Sequence, residues 1–179
     1  MSRLRVYRDD QPDASTTIDN HDAIADALKQ IGIRFERWSA QAELAADASQ
    51  EDVIAAYRSD VDRLMKESGF QSVDVISLSP NHPQKTEFRK KFLEEHTHAE
   101  FEIRFFVDGA GQFNLHKDGK VYEVLCERGD LIAVPDGTRH WFDMGPEPNF
   151  KCIRFFTNPE GWVAQFTGDD IAGKFPRFE

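Results

Sequence analysis

The stretch Glu94–Glu102 reads Glu-Glu-His-Thr-His-Ala-Glu-Phe-Glu. His98 follows His96 by two residues, so in a strand both side chains point to one face, with Cα atoms about 6 to 7 Å apart. Two imidazoles at that separation can bind one ion. Glu102 would lie about 13 Å beyond His98 on a straight strand, so it joins them only if the chain bends over 99–101. The stretch therefore predicts a two-histidine clip followed by a bend.

A second stretch, residues 135–140, reads Pro-Asp-Gly-Thr-Arg-His and ends at the head of a predicted strand. Its rigid turn can bring His140 in from across a barrel as a fourth ligand. Three imidazoles and one carboxylate suit iron, nickel, manganese or copper, and they leave two positions of an octahedral ion open for substrate. The alternative is a polar strand face that binds no metal.

From about Phe70 onward the hydrophobic period is two, which is typical of β-strands. The Asp118-Gly119 pair predicts a tight hairpin, because these residues tolerate positive φ. Many short strands in a small domain must close on themselves to protect their edges. We therefore expect a mainly β fold, a β-barrel or double-sheet jelly roll with N-terminal helices outside. The predicted strands are 33–38, 73–78, 101–107, 112–116, 121–126, 130–134, 140–144 and 150–156.

The N-terminal part mixes helices with strands. One helix begins at an Asn20 cap and ends at Gly32, and a second begins at a Ser49–Asp52 capping box and ends at Gly69. The length of 179 residues, with 40% hydrophobic and 30% charged residues, indicates a single domain. Its expected parts are a mixed α/β segment over 1–69, a barrel core over 70–157 and a C-terminal tail over 158–179.

Composition excludes several classes of function. With 32 acidic and 22 basic side chains the net charge is −10, so nucleic acid and anionic membrane surfaces repel the chain on average. No signal peptide is visible, and no uncharged apolar run approaches the roughly 18 residues of a membrane helix. Cys126 and Cys152 stand far apart, which predicts neither a disulfide framework nor a thiolate zinc site. We expect a cytoplasmic monomer whose metal chemistry uses histidine and carboxylate.

Both stretches belong to longer patterns that resemble the two motifs of the cupin superfamily. The patterns are His96-x-His98-x3-Glu102-x6-Gly109 and Gly129-x5-Pro135-x-Gly137-x2-His140. Two positions depart from the motifs. Lys90 stands where the first usually opens with glycine, and Met144 stands where the second often closes with asparagine. Both lie outside the ligand set and concern the shape of the loops.

The residues around the motifs narrow the resemblance further, and the segments concerned are 96–105, 129–135, 140–142, 154–156 and Gly161-Trp162. These segments resemble the acireductone dioxygenase family of methionine salvage, and the similarity spans nearly the whole chain. The resemblance implies an enzyme that oxidises 1,2-dihydroxy-3-oxo-5-(methylthio)pent-1-ene with O2. It implies 4-methylthio-2-oxobutanoate and formate as products with iron, and 3-methylthiopropanoate, formate and carbon monoxide with nickel. It also implies one Fe²⁺ or Ni²⁺ per chain, held by His96, His98, Glu102 and His140.

Three charged side chains are candidates for catalysis. Arg104 shares the strand parity of Glu102, and a cation there or at Arg154 would offset the charge of an anionic substrate. Either arginine could instead pair with a structural carboxylate. Glu95 is a candidate base on the enediol, a hydrogen-bond partner for a histidine, or a solvated charge.

Three aromatic residues are candidates for substrate binding. Phe92, Phe142 and Trp162 could line an apolar pocket for the methylthioethyl tail, which is bound by area and shape. The alternative is that they are core residues, as most aromatic residues of such a chain are. The remaining histidines stand at positions that favour exposure: His21, His82 and His116.

Two other functions would also use the four candidate ligands. One is another cupin enzyme, such as an isomerase or an oxalate-type oxidase, which would not need the flanking arginines and aromatics. The other is a non-catalytic cupin that binds a small ligand, but such sensors usually carry a DNA-binding module, and no second domain or basic patch is visible. Turnover of an acireductone in air separates the three. Iron and nickel both stay open, because availability decides between them for this ligand set.

Overall fold

The computed structural model describes residues 1–39, 43–45, 47–158 and 162–179, so Gly161 of the similar segments lies outside the described residues. The helices are α1 (His21–Lys29), α2 (Gln50–Ala56), α3 (Arg58–Ser68) and α4 (Lys85–Phe92), followed by a short 3₁₀ helix at Ile171–Lys174. The strands are β1 (Arg3–Arg8), β2 (Gln11–Ile18), β3 (Arg34–Arg37), β4 (Ser72–Leu78), β5 (His96–Thr97), β6 (Glu102–Lys117), β7 (Lys120–Glu127), β8 (Asp130–Val134), β9 (Arg139–Asp143), β10 (Phe150–Phe156) and β11 (Gln165–Phe166). The predicted mainly β fold is confirmed. No helix of the described part of the chain is long and apolar enough to cross a membrane.

The strands form two layers that share β6. One layer has the order β11-β5-β9-β6-β7-β1-β2, and the other has the order β3-β8-β6-β10-β4. The strands predicted at 101–107 and 112–116 are the two ends of this single strand of 16 residues. Side chains alternate along β6, so Glu102 and Arg104 line the space between the layers, whereas Ile103 and Phe105 pack on the other side.

Two apolar clusters pack on the two faces of the smaller layer. The first fills the space between the two layers, with Phe113 and Phe142 from one layer and Ile132 and Cys152 from the other. The second joins the outer face of the smaller layer to α2 and α3, and it includes Tyr57. The barrel interior is therefore apolar at one end and carries the candidate site at the other.

The helix predicted over 49–69 is two helices. Ser49 and Asp52 form the predicted capping box, and Gly69 ends the second helix in the left-handed conformation at φ 68°. Between them Tyr57 leaves helical geometry at φ −117° and ψ 21°. Its ring packs edge-on against Phe105 with centroids 4.6 Å apart, so the core contact takes precedence over a continuous helix.

The turns follow the sequence closely. Asn20 caps α1 by accepting from the Ala23 amide at 3.0 Å. Asp118 and Gly119 have φ values of 52° and 70°, as a primed hairpin turn between β6 and β7 requires. The tail after 168 contains the 3₁₀ helix, and Phe175 packs against Tyr7 and Trp141.

Candidate metal centre

The structure brings His96, His98, Glu102 and His140 together in one buried cluster. One ligand atom from each residue lies within 4.8 Å of the others. The predicted bend exists: Glu102 Oε2 lies 2.8 Å from His98 Nε2 and 3.0 Å from His140 Nε2. Three imidazoles and a carboxylate thus converge on one point, which is the donor set that a divalent transition metal prefers.

Strand pairing positions these side chains. His96 of β5 pairs directly with His140 of β9, and Glu102 is the first residue of β6. The turn before β9 is tied to the clip, because the Gly137 amide donates to the His98 carbonyl at 2.9 Å. Backbone hydrogen bonds therefore hold the segments of His96, His98 and His140 together independently of any metal.

Backbone carbonyls orient all three imidazoles in the same way. Each Nδ1 lies within hydrogen-bond distance of a carbonyl oxygen, which can only accept, so each Nδ1 carries the proton. Nε2 is then the atom that faces the centre, where either a proton or a metal ion can sit between the ring and Glu102. The contacts are His96 to Glu94 O at 2.7 Å, His98 to Val163 O at 3.1 Å and His140 to Thr138 O at 2.8 Å.

The charges of the cluster suit a cation. Burial, with the neighbouring His140, lowers the pKa of His96 to about 4, so this ring is neutral at neutral pH. Burial acts to raise the pKa of Glu102, but Arg104 and the two histidine hydrogen bonds outweigh it and hold that pKa well below its usual range. Burial also acts to lower the pKa of His98, and here the contact with Glu102 raises it overall. A charged carboxylate thus faces the neutral His96 ring, whose Nε2 lone pair is free to bind a cation.

Arg104 contacts the cluster through Glu102. Its side chain is 6% exposed, and its Nε donates to Glu102 Oε1 at 2.9 Å. Its guanidinium carbon lies 4.6 Å from the ring centroid of Phe142, 5.5 Å from that of Trp162 and 5.9 Å from that of Phe92. The three aromatic candidates and this arginine therefore form one constellation, with cation–π geometry.

A cavity of about 540 Å³ opens on this constellation. It is lined by three of the candidate ligands, by both arginines and by all three aromatic candidates, which are His96, His98, Glu102, Arg104, Arg154, Phe92, Phe142 and Trp162. Arg154 lies opposite Arg104 in the β6–β10 register and makes a bidentate pair with Asp74 at 2.8 and 2.6 Å. The Nε1 atom of Trp162 is buried without a partner among the described residues.

Glu95 does not join the cluster. Its carboxylate, in a residue only 1% exposed, lies 2.6 Å from His116 Nδ1 and accepts from the Thr167 hydroxyl at 2.8 Å. Glu95 is absent from the cavity wall, because neighbouring residues of an extended segment point to opposite sides. The expectation that His116 is exposed is wrong: it is 7% exposed, since Glu95 covers it.

Sequence reasoning missed several residues of the cavity wall. The sequence analysis does not predict helix α4, because only two apolar residues, Phe88 and Phe92, mark its partly buried face. It supplies Phe88 and Lys91 to the wall, and β4 supplies Asp74. The available signals are the i, i+4 spacing of Phe88 and Phe92 and the basic Arg-Lys-Lys run over 89–91, which suits the last turn of a helix.

Comparison with known proteins points to one family. Residues 3–164 match the family model described as ARD/ARD′ family. An acireductone dioxygenase of Stenotrophomonas maltophilia (strain K279a) is 60% identical over 99% of this chain and 97% of its own length. One from Pseudomonas aeruginosa (strain UCBPP-PA14) is 58% identical over 100% of this chain and 99% of its own. A solved acireductone dioxygenase from Bacillus anthracis, with a cadmium ion in its active centre, is 30% identical and superimposes with a TM-score of 0.81 over 93% of this chain and 98% of its own.

Proposed function

The chain belongs to the acireductone dioxygenase family, and on that premise we propose that it holds one Fe²⁺ or Ni²⁺ ion through His96, His98, Glu102 and His140. The observation that carries the proposal is the convergence of three Nε2 atoms and one carboxylate in a buried cluster beside a cavity. The Nδ1 contacts with carbonyls support it, since they fix the tautomer that a metal ligand needs.

The proposed substrate is 1,2-dihydroxy-3-oxo-5-(methylthio)pent-1-ene, which is oxidised by O2. We propose 4-methylthio-2-oxobutanoate and formate as the products of the iron form, and 3-methylthiopropanoate, formate and carbon monoxide as those of the nickel form. When bound, the metal would serve as a Lewis acid and template for the enediol oxygens. The cavity volume of about 540 Å³ lies within the range usual for small-molecule sites.

The charged and the aromatic residues of the cavity wall have different roles in substrate binding. Arg104 is buried and fixed by Glu102, so its charge is available in a site of low dielectric to offset an anionic enediol. Arg154 is more exposed and already forms an ion pair with Asp74, so we expect it to contribute less than Arg104 to offsetting the charge of the enediol. Phe92, Phe142 and Trp162 supply apolar surface for the methylthioethyl tail.

We assign Glu95 to support rather than proton transfer. Both of its oxygens are engaged, by His116 and by Thr167, on the side of β5 away from the cavity. Thr167 directly follows β11, which pairs with β5 at His96. Glu95 therefore holds the strand that carries the first candidate ligand. We propose a monomer as the working unit, because one chain supplies all four candidate ligands.

The test combines metal analysis with turnover. Purified protein is analysed for iron and nickel, and the same sample is assayed in air with a synthetic acireductone by a method that distinguishes keto acid from carbon monoxide. We expect one equivalent of metal and the matching products. His140→Ala should lose both, whereas His21→Ala, outside the cluster, should keep both. One equivalent of metal without consumption of the acireductone would refute the proposed reaction and favour another cupin enzyme or a binding role.

A further inference from the structure

The charged side chains that line the cavity do not balance. Each of the two carboxylates already has a cationic partner: Glu102 pairs with Arg104 at 2.9 Å, and Asp74 pairs with Arg154 at 2.6 Å. Lys91 is the fifth charged residue of the described wall. The cavity therefore carries one cation in excess before any metal is added.

Lys91 is that excess cation. Within the described ranges no carboxylate oxygen lies within 4.0 Å of its ammonium group, not even that of Glu87, one turn earlier on α4. The residue is solvent-exposed and at the same time lines the cavity. An exposed residue on a cavity wall stands where the cavity meets solvent, so Lys91 is at the opening.

A cation in this position favours the association of an anion with this negatively charged chain. The whole chain carries a net charge of −10, which repels an anion at long range. The enediol of an acireductone ionises readily, so the proposed substrate approaches as an anion. A local positive charge at a cavity opening raises the encounter rate of an anion despite an unfavourable net charge.

We propose that Lys91 captures the anionic substrate at the cavity opening and thereby sets the rate of productive association. The proposal rests on the proposed function, because it needs an anionic substrate in this cavity. Lys91 acts on binding only: it is exposed at the opening, whereas Arg104 is buried and paired with the candidate ligand Glu102. It therefore contributes to kcat/KM and KM and leaves kcat unchanged.

The competing explanation is helix stability. Cationic side chains in the last turn of a helix offset the partial negative charge of its C-terminus, and α4 ends with Arg89, Lys90 and Lys91. Lys90 would serve this purpose as well as Lys91, and it too is exposed. Lys90 does not line the cavity, which makes it a matched control.

The experiment compares Lys91→Glu with Lys90→Glu, which change the net charge of the protein equally. A unit charge at contact distance in water changes association by about fivefold, so charge reversal at Lys91 should lower kcat/KM by about thirtyfold at low ionic strength. Lys90→Glu should lower it by about twofold or less. The Lys91 effect should appear in KM with kcat unchanged, and it should shrink to about twofold near 1 M salt, where the screening length is about 3 Å.

Each outcome decides between the alternatives. Equal effects of the two reversals, a salt-independent loss, or a loss confined to kcat would each overturn the capture role. Lys91→Arg, which keeps the charge, should retain the wild-type kcat/KM within about twofold. Absence of acireductone turnover by the metal-loaded wild type would instead refute the proposed function, and this is measured before any variant. The far-ultraviolet circular dichroism of both variants shows whether α4 and the remainder of the fold are intact.

Discussion

Replacing Arg104 by methionine tests how much the buried ion pair between Arg104 and Glu102 stabilises the folded protein. Arg104 and Glu102 have side-chain exposures of 6% and 3%, and the Nε to Oε1 distance is 2.9 Å. Methionine keeps most of the volume but leaves the carboxylate without its cation. Removing one partner of a buried ion pair costs about 3 to 5 kcal/mol, because the remaining charge stays desolvated.

The neighbouring arginine provides a matched control. Arg154 lies opposite Arg104 in the strand register, and its pair with Asp74 has exposures of 26% and 37%. Exposed pairs contribute about 0 to 1 kcal/mol, so Arg154→Met should cost far less. For a chain of this length 1 kcal/mol corresponds to about 2 to 4 °C, so Arg104→Met should lower the apo-protein Tm by at least about 6 °C and Arg154→Met by about 4 °C or less.

The assay is thermal unfolding of metal-free and metal-loaded protein, followed by circular dichroism. In the loaded protein the loss at Arg104→Met should be smaller, because a divalent cation also neutralises Glu102. An apo-protein Tm within about 2 °C of the wild type, or equal losses in the two variants, would show that Glu102 does not depend on Arg104.

Three further predictions follow from other parts of the fold. Adding Fe²⁺ or Ni²⁺ to the apo-protein should raise its free energy of unfolding by about 2.7 kcal/mol at about a hundred times Kd, measured by calorimetry, and His140→Ala should abolish most of this gain. Burial raises the pKa of Glu123 above its ordinary 4.5 despite Arg5 and Tyr7, so its ionised form is disfavoured in the folded state. Glu123→Gln should therefore stabilise the protein near pH 8, with a gain that declines as pH falls through the raised pKa to about 4.5; urea unfolding across this range would contradict this if the gain were constant. Gly109→Ala should cost at least about 2 kcal/mol in urea unfolding, because φ is 73° and a Cβ would lie 1.8 Å from Asn149 O, whereas Gly173→Ala, with open space, should cost little.

The candidate ligands could be predicted because strand parity and turns are local properties. The spacing of His96 and His98 places both on one face whatever the remainder of the chain does, and the straight-strand distance to Glu102 requires a bend. The Asp118-Gly119 hairpin and the Asn20 cap are equally local, and both are present. Each feature depends on residues within a few positions of one another.

The features that escaped prediction depend on contacts between distant segments. His116 stands beside an exposed hairpin in sequence, yet Glu95 covers it after folding. Strand β2 is polar and mostly exposed, so no hydrophobic alternation marks it, and it is held by backbone pairing to β1. Helix α4 buries only part of Phe88 and Phe92, and the pair between Arg89 and the buried Asp143 also holds it in place. The hydrophobic pattern of the sequence does not reveal such backbone and ion-pair contacts.

The candidate ligands and part of the cavity wall are held in place by different contacts. The candidate ligands stand on or next to strands whose backbone hydrogen bonds fix their spacing, whereas part of the cavity wall comes from α4, which includes the exposed Lys91, and from the segment that carries Trp162. Substitutions at the exposed positions of α4 can therefore change the cavity at little cost in folding stability, while the ligand geometry is left intact. Such a division gives the chain room to evolve toward other substrates without rebuilding its chemistry, and it marks α4 as the first element for a protein engineer to vary.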